Sequence, residues 1–369
     1  MAEKTPLQQL ADHGQSVWID YLSRHLLDSG ELERMMREDA VVGVTSNPTI
    51  FQKAISEGSD YDDQLRACLE RLDEPKEIYL ELTRQDVTEA CDLLRRVWDE
   101  GHGQDGYVSW EVDPNLAYDR DATYEEAQRL HELVDRPNLH VKIPGTEPGL
   151  GAIEDTIALG KNINVTLIFS LARHEEVMEA YVRGLERLVE SGGDPTKVAS
   201  VASFFVSRVD TETDKRLDAI GGHDDLKGKL GIANSKLAYQ NYKQVFSGPR
   251  WEALAAKGAT KQRCLWASTS VKNPDYRDVM YVEELIGPET VNTMPQETIE
   301  AFQDHGRVAD TLQQGLDEAH RLFDDLAAAG IDYDDVVRVL EEEGVQKFID
   351  SFAELLDGVQ SKKHELVGA

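Results

Sequence analysis

Two hydrophobic periods alternate along the chain. Short runs in which branched apolar and polar residues take turns give way to longer stretches with apolar positions every three or four residues, the periods of strand and helix respectively. Strand-like runs fall at residues 16–22, 41–47, 107–113, 139–145, 162–169, 198–206, 263–270 and 290–294. Helical stretches separate them, at about 29–39, 61–100 with a break near Pro75, 123–135, 148–159, 172–190, 210–219, 224–245 and 275–286. Connections of that length and period suit parallel strands, so eight strand–helix repeats predict an α/β fold, a (β/α)8 barrel. No low-complexity run or Pro, Gly or Ser-rich linker divides the chain. Residues 1–369 are therefore expected to form one barrel domain, with a mostly helical C-terminal region over 307–369.

The period of two then sorts each strand into faces. With the more apolar set packed under the helices, the first strand leaves Asp20 inward and the second leaves Gly43, Thr45 and Asn47. The third leaves Ser109, Glu111 and Asp113, with Val108, Trp110 and Val112 outward. In the fourth, Leu139, Val141 and Ile143 share the outer face while His140 and Lys142 share the inner one. The fifth leaves Asn162, Asn164 and Thr166 inward against Ile163, Val165 and Leu167. The sixth pairs Ser203 with Phe205 and the seventh pairs Ser268 with Ser270. The predicted interior is thus small and polar, around a single lysine.

Composition narrows the partners. Seventy acidic residues against 39 basic give a formal net charge of −31, which disfavours nucleic acid and anionic membranes, so a phosphorylated substrate needs a local basic pocket. The hydrophobic fraction of 40% supplies a sizeable core, and no run approaches the roughly 20 apolar residues of a membrane span. The polar N-terminus carries no targeting signal, and Cys68, Cys91 and Cys264 lie far apart without a C-x-x-C pair. A cytoplasmic protein with core-filling cysteines and neither metal nor cofactor is expected, as monomer or homodimer. Gly149-Leu150-Gly151 follows a strand and opens a helix, but Glu154 stands where a dinucleotide fingerprint needs its third glycine, so it reads as a turn and helix start.

A lysine among branched apolar residues on a solvated sheet face is ordinary; withdrawn from water inside a barrel, it is a candidate amine nucleophile for a carbonyl. Imine chemistry also needs groups that move protons, and Asp20 and Glu111 are carboxylates on the same inner surface, either able to take a hydroxyl proton when a carbon–carbon bond breaks beside the imine. Thr45, Asn47, Asn164 and Ser203 offer hydrogen bonds to a polyol. Arg208 after the sixth strand and Lys272 after the seventh would stand at one mouth of the barrel as cations for a phosphate. Each of these residues alone also has a structural explanation, Asp20 as a partner of Lys142 for example; the group points to chemistry because barrel enzymes build their sites at the carboxyl ends of the strands.

These residues also carry a resemblance. Gly43-Val44-Thr45-Ser46-Asn47-Pro48-Thr49-Ile50-Phe51 resembles the first transaldolase signature, and Val141-Lys142-Ile143-Pro144 resembles that family's Schiff-base lysine motif. Asp20, Glu111-Val112-Asp113, the run from Asn164 to Ser170 and the run from Ser203 to Arg208 follow in the family's order. The resemblance implies a cofactor-free transfer of a dihydroxyacetone unit from fructose 6-phosphate or sedoheptulose 7-phosphate to erythrose 4-phosphate or glyceraldehyde 3-phosphate, in the non-oxidative pentose phosphate pathway. It further implies Lys142 as the imine former, Asp20 as the acid and base at carbon–carbon cleavage, and Glu111 with a water near Thr166 for imine formation and hydrolysis. Asn47, Asn164 and Ser203 would hold the dihydroxyacetone moiety and Arg208 the phosphate. The family often has a second arginine where this chain has Lys272, beside Ser270; lysine keeps the charge and loses the bidentate fork. Two other functions use parts of the same pattern. A lyase of the fructose 6-phosphate aldolase kind would share the lysine, but related aldolases carry tyrosine where Phe205 stands; a non-catalytic sugar-phosphate-binding barrel would not need Lys142, Asp20 and Glu111 together.

Overall fold

A computed structural model describes residues 4–367. Eight parallel strands close into a barrel in chain order: β1 (Gln15–Asp20), β2 (Val41–Thr45), β3 (Tyr107–Glu111), β4 (Leu139–Pro144), β5 (Ile163–Ile168), β6 (Ser200–Phe205), β7 (Arg263–Ala267) and β8 (Thr290–Met294). The (β/α)8 expectation holds. Local chemistry sets where several crossover helices begin: Ser23, Asn47, Asp119, Thr146 and Ser170 each accept a hydrogen bond from the backbone N–H three residues on. Each such cap is worth about 1 kcal/mol and turns the chain sharply at the end of a strand. Gly149 and Gly151 are packing glycines of the Glu147–Ala158 helix: a Cβ on the first would lie 2.2 Å from the Pro144 carbonyl oxygen, and one on the second 2.5 Å from Arg120 Nε.

Some elements depart from the hydrophobic pattern. Of residues 29–39 the helix takes Glu31–Glu38, and a separate short helix, Arg24–Asp28, precedes it across Ser29 and Gly30, whose φ of 72° is left-handed. Short helices at Pro6–Asp12 and Pro48–Glu57 carry too few turns to display a period, and only Met280–Glu283 of the stretch 275–286 is α-helical. The C-terminal region forms Leu316–Ala328 and a helix of 35 residues, Tyr333–Val367. None of the helices among the described residues is long and apolar enough to cross a membrane.

The barrel interior has two halves, and the lower one corrects the expected polar lining. Trp18, Tyr107 and His140 point inward there, the Tyr107 and His140 rings stacked with centroids 4.0 Å apart and Trp18 tilted against both. Val201, Leu265 and Val291 complete this plug. Parallel strands in such a barrel are buried on both faces, so the more apolar face is not always the outer one. Leu167 is a second correction. With a φ of 57° it interrupts the register of β5 against β6, and this bulge leaves Ile168 outward while Leu167 joins Phe169 and Phe205 at the mouth. The expected inward pair Ser268 and Ser270 lies beyond the end of β7, whose inward residues are Leu265 and Ala267.

The plug explains the glycine of β2. A Cβ on Gly43 would lie 2.5 Å from the Trp18 indole, which is itself backed by Tyr107 and His140 and cannot retreat. Gly43→Ala should destabilise the protein by about 1–3 kcal/mol in chemical denaturation, the usual cost of overpacking; an unchanged midpoint would show that the plug can rearrange.

Candidate active site

The upper half of the barrel opens into a cavity of about 430 Å³ at the carboxyl ends of the strands. Lys142 reaches it from β4 and is only 6% exposed. Its Nζ donates to the Ser46 carbonyl oxygen at 2.8 Å and lies 3.4 Å from Glu111 Oε2. Register makes the ion pair, because Glu111 of β3 stands directly beside Lys142 of β4. The other carboxylate oxygen, Oε1, accepts from Thr166 Oγ1 at 3.2 Å. Ser46 is fixed in turn by its hydroxyl, which donates to the Ser109 carbonyl at 2.8 Å.

Asp20 faces the same cavity from β1, paired in register with Thr45 of β2. Thr45 Oγ1 lies 2.7 Å from Asp20 Oδ1 and 2.7 Å from Thr293 Oγ1. Lys142 therefore pairs with Glu111 while Asp20 is held by a hydroxyl. Burial raises both carboxyl groups above the ordinary carboxylate range; for each the Lys142 charge opposes this, with Thr45 adding to it at Asp20 and Thr166 at Glu111. A carboxyl lifted in this way holds a proton more firmly than a free one, which suits it to pass a proton to and from a bound substrate.

The remaining expected residues divide. Thr45, Asn47, Thr166, Ser203, Phe205, Arg208, Ser270 and Lys272 all line the cavity. Asn47 spends its Oδ1 on capping the Pro48–Glu57 helix through Ile50 N at 3.1 Å, while its Nδ2 makes no hydrogen bond among the described residues. Asn164 does not line the cavity: its Nδ2 donates to Ser109 Oγ at 3.1 Å and its Oδ1 accepts from Ser203 Oγ at 2.6 Å, so the amide aligns Ser203 from below. Arg208, in the first turn of the Ser207–Ile220 helix, sits 5.1 Å above the Phe205 ring. Burial pulls it below its usual value, opposed by the charges of Asp20 and Glu111. Lys272 lies at the rim and donates to Ser270 Oγ at 2.6 Å.

Sequence periodicity missed several wall residues. Thr293 was within reach, since on β8 it shares a face with Val291 and alternates with the outward Met294. Lys53 and Lys347 were not, because helices from opposite ends of the chain bring them to the rim. Five basic and two acidic side chains line the cavity, a local excess of three positive charges in a chain of net charge −31.

The Transaldolase/Fructose-6-phosphate aldolase family matches residues 17–359. The chain belongs to that family. It is 51% identical to a transaldolase of Saccharopolyspora erythraea over 363 residues, which is 98% of this chain and 99% of that one. A transaldolase of Mycolicibacterium paratuberculosis is 51% identical over 365 residues, 98% of each chain, and one of Frankia alni 52% identical over 354 residues, 95% of each. The 17–359 match takes in every strand from β2 to β8, most of β1, and most of the long C-terminal helix.

In this transaldolase-family barrel the Thr45 hydroxyl holds the Asp20 carboxyl down against burial. Thr45→Val removes that hydrogen bond, so the Asp20 carboxyl rises further and the acidic limb of the kcat/KM profile should move to higher pH. A profile superimposable on that of the unaltered chain would separate Asp20 from the rate.

Proposed function

We propose that the chain is a transaldolase that carries a dihydroxyacetone unit from a ketose phosphate to an aldose phosphate through an imine on Lys142. The observation that carries this is that Lys142 and Asp20 line one cavity while Glu111, just outside its lining, pairs with the Lys142 ammonium. Glu111 is placed to take the ammonium proton, leaving an amine that attacks the C2 carbonyl of the donor. The protonated Glu111, steadied by Thr166, then supplies a proton as the carbinolamine loses water. Asp20 takes the proton of the C4 hydroxyl, the C3–C4 bond breaks and its electron pair flows to the iminium, so the aldose leaves and a three-carbon enamine stays on Lys142. Attack of the enamine on the acceptor aldehyde reverses these steps, with Asp20 returning its proton to the new hydroxyl, and hydrolysis frees the lysine.

Binding follows the same geometry. The free Nδ2 of Asn47 and the hydroxyls of Thr45 and Ser203 offer bonds to the dihydroxyacetone hydroxyls, with Ser203 aligned by Asn164. Arg208 and Lys272 stand at the rim, where the phosphate of a six- or seven-carbon donor would emerge, and the apolar Phe205 ring keeps that wall free of a further hydroxyl. The local positive charge draws such anions in against the field of the rest of the molecule. The lyase alternative uses the same lysine and differs in releasing dihydroxyacetone to water.

Mixing the protein with fructose 6-phosphate alone should release at most one equivalent of glyceraldehyde 3-phosphate per chain, and continued release should require erythrose 4-phosphate. Continued release without acceptor would make it an aldolase, and release under neither condition would leave a binding barrel. Lys142→Ala should abolish turnover in an intact fold, because Glu111 left without its cation can protonate, its carboxyl already being raised by burial. Asp20→Asn should lower kcat by about 10²–10⁴-fold, the usual worth of a general acid and base. Turnover retained in either variant would overturn the assignment.

A further inference from the structure

One face of the Tyr333–Val367 helix lies across the carboxyl-end mouth of the barrel. A Cβ on Gly344 would lie 3.2 Å from Leu167 Cδ2, in contact with the residue that the β5 bulge turns to the mouth. Lys347 and Phe348 line the cavity, Ser351 accepts from Thr49 Oγ1 at 2.8 Å, and Phe352 packs edge-on against Tyr79 with centroids 5.5 Å apart. Positions 344, 347, 348, 351 and 352 recur at the spacing of a single helix face. Both ends of this face are fastened. Tyr333 OH donates to Asn234 Oδ1 at 2.8 Å and accepts from Leu171 N at 3.1 Å; Lys362 bonds the Gly58 carbonyl and, at 2.7 Å, the Asp62 carboxylate. The helix is a strap with its middle over the site.

Charge says what the middle of the strap does. Lys347 is exposed at the rim and pairs with no carboxylate among the described residues. The charges that act on it are cationic: repulsion from Arg208 first, then burial, then repulsion from Lys272 hold its amine below the usual value. Two carboxylates also line the cavity, Asp20 and Glu297, but Asp20 is held by Thr45 and neither figures among the charges acting on Lys347. Three cations from three separate elements thus line one cavity, and although Asp20 and Glu111 act on Arg208, no carboxylate offsets the repulsion at Lys347, an arrangement that costs stability until an anion arrives. A phosphate dianion has the charge and the oxygen atoms to convert that repulsion into charge-assisted hydrogen bonds.

We infer that Lys347 is a third cation of the phosphate subsite, presented by the C-terminal helix, and that the strap thereby senses whether a sugar carries a phosphate. This rests on the sugar-phosphate reading of the cavity and assigns to it a residue from outside the barrel strands and their loops. Lys347 acts on the far end of the substrate, away from the imine, so its loss weakens binding of phosphorylated sugars rather than the chemical step.

Inorganic phosphate binding by calorimetry, together with steady-state kinetics on fructose 6-phosphate and on unphosphorylated fructose, tests this in the full chain. Lys347→Met should weaken inorganic phosphate binding about tenfold, raise KM for fructose 6-phosphate by a similar factor and lower the preference for the phosphorylated donor, while Lys347→Arg restores most of the loss. Lys257→Met, a neutralised surface lysine that does not line the cavity, controls for net charge. Equal phosphate affinity in Lys347→Met and Lys257→Met would overturn the inference even if transfer activity is normal. Absence of transfer in the unaltered chain would count against the proposed function alone, since a Lys347-dependent loss of phosphate binding would still support the subsite.

Discussion

An ion pair inside a β-barrel, Lys142 against Glu111 at 3.4 Å, is the constraint around which this protein is arranged. Taking two charges out of water costs several kcal/mol per ion, and the pair persists only where geometry and further hydrogen bonds compensate. The fold supplies both. The register of β3 against β4 sets the two side chains abreast, Thr166 of β5 donates to one carboxylate oxygen, and the Ser46 carbonyl at the end of β2 accepts from the ammonium. Beneath them the plug of Trp18, Tyr107 and His140 closes the amino-terminal half of the barrel, so access is from the carboxyl ends of the strands alone. A proton donor and an acceptor are thereby in contact, the arrangement that the proposed imine formation calls for.

Charge is divided in the same spirit. The chain as a whole is strongly acidic, and most of its arginines and lysines are tied to carboxylates, as Arg250 is to Glu179 and Glu186, or Arg187 to Glu154 and Asp155. At the cavity mouth the balance reverses, with Arg208, Lys272 and Lys347 mutually exposed. Field lines converge on a small basic opening in an acidic surface, which selects for anionic ends of substrates while repelling polyanions too large to enter.

How much of this could be read from the residues depends on what each one packs against. Lys142, Asp20 and Glu111 were legible because strands alternate their faces and their outer neighbours, Val141, Ile19 and Trp110, are strongly apolar. The same rule puts Trp18 on the face of Asp20 and Tyr107 on the face of Glu111; what failed in the lower barrel was the expectation that the whole inward set is small and polar. Leu167 escaped because a bulge breaks the period of two, and Ser268 and Ser270 because β7 ends at Ala267. Asn164 was legible as inward but not as spent on Ser109 and Ser203, since hydrogen-bond partners across strands are a property of register. Lys347 carried no sign at all in its own helix; its meaning comes from a fold that lays the end of the chain over the middle of the sheet.

Reduction with borohydride in the presence of fructose 6-phosphate, followed by peptide mapping, tests the central claim most directly. The account predicts loss of activity with one reduced three-carbon adduct per chain, on Lys142. An adduct on Lys53, Lys272 or Lys347 instead, or full activity after reduction with substrate present, would contradict it.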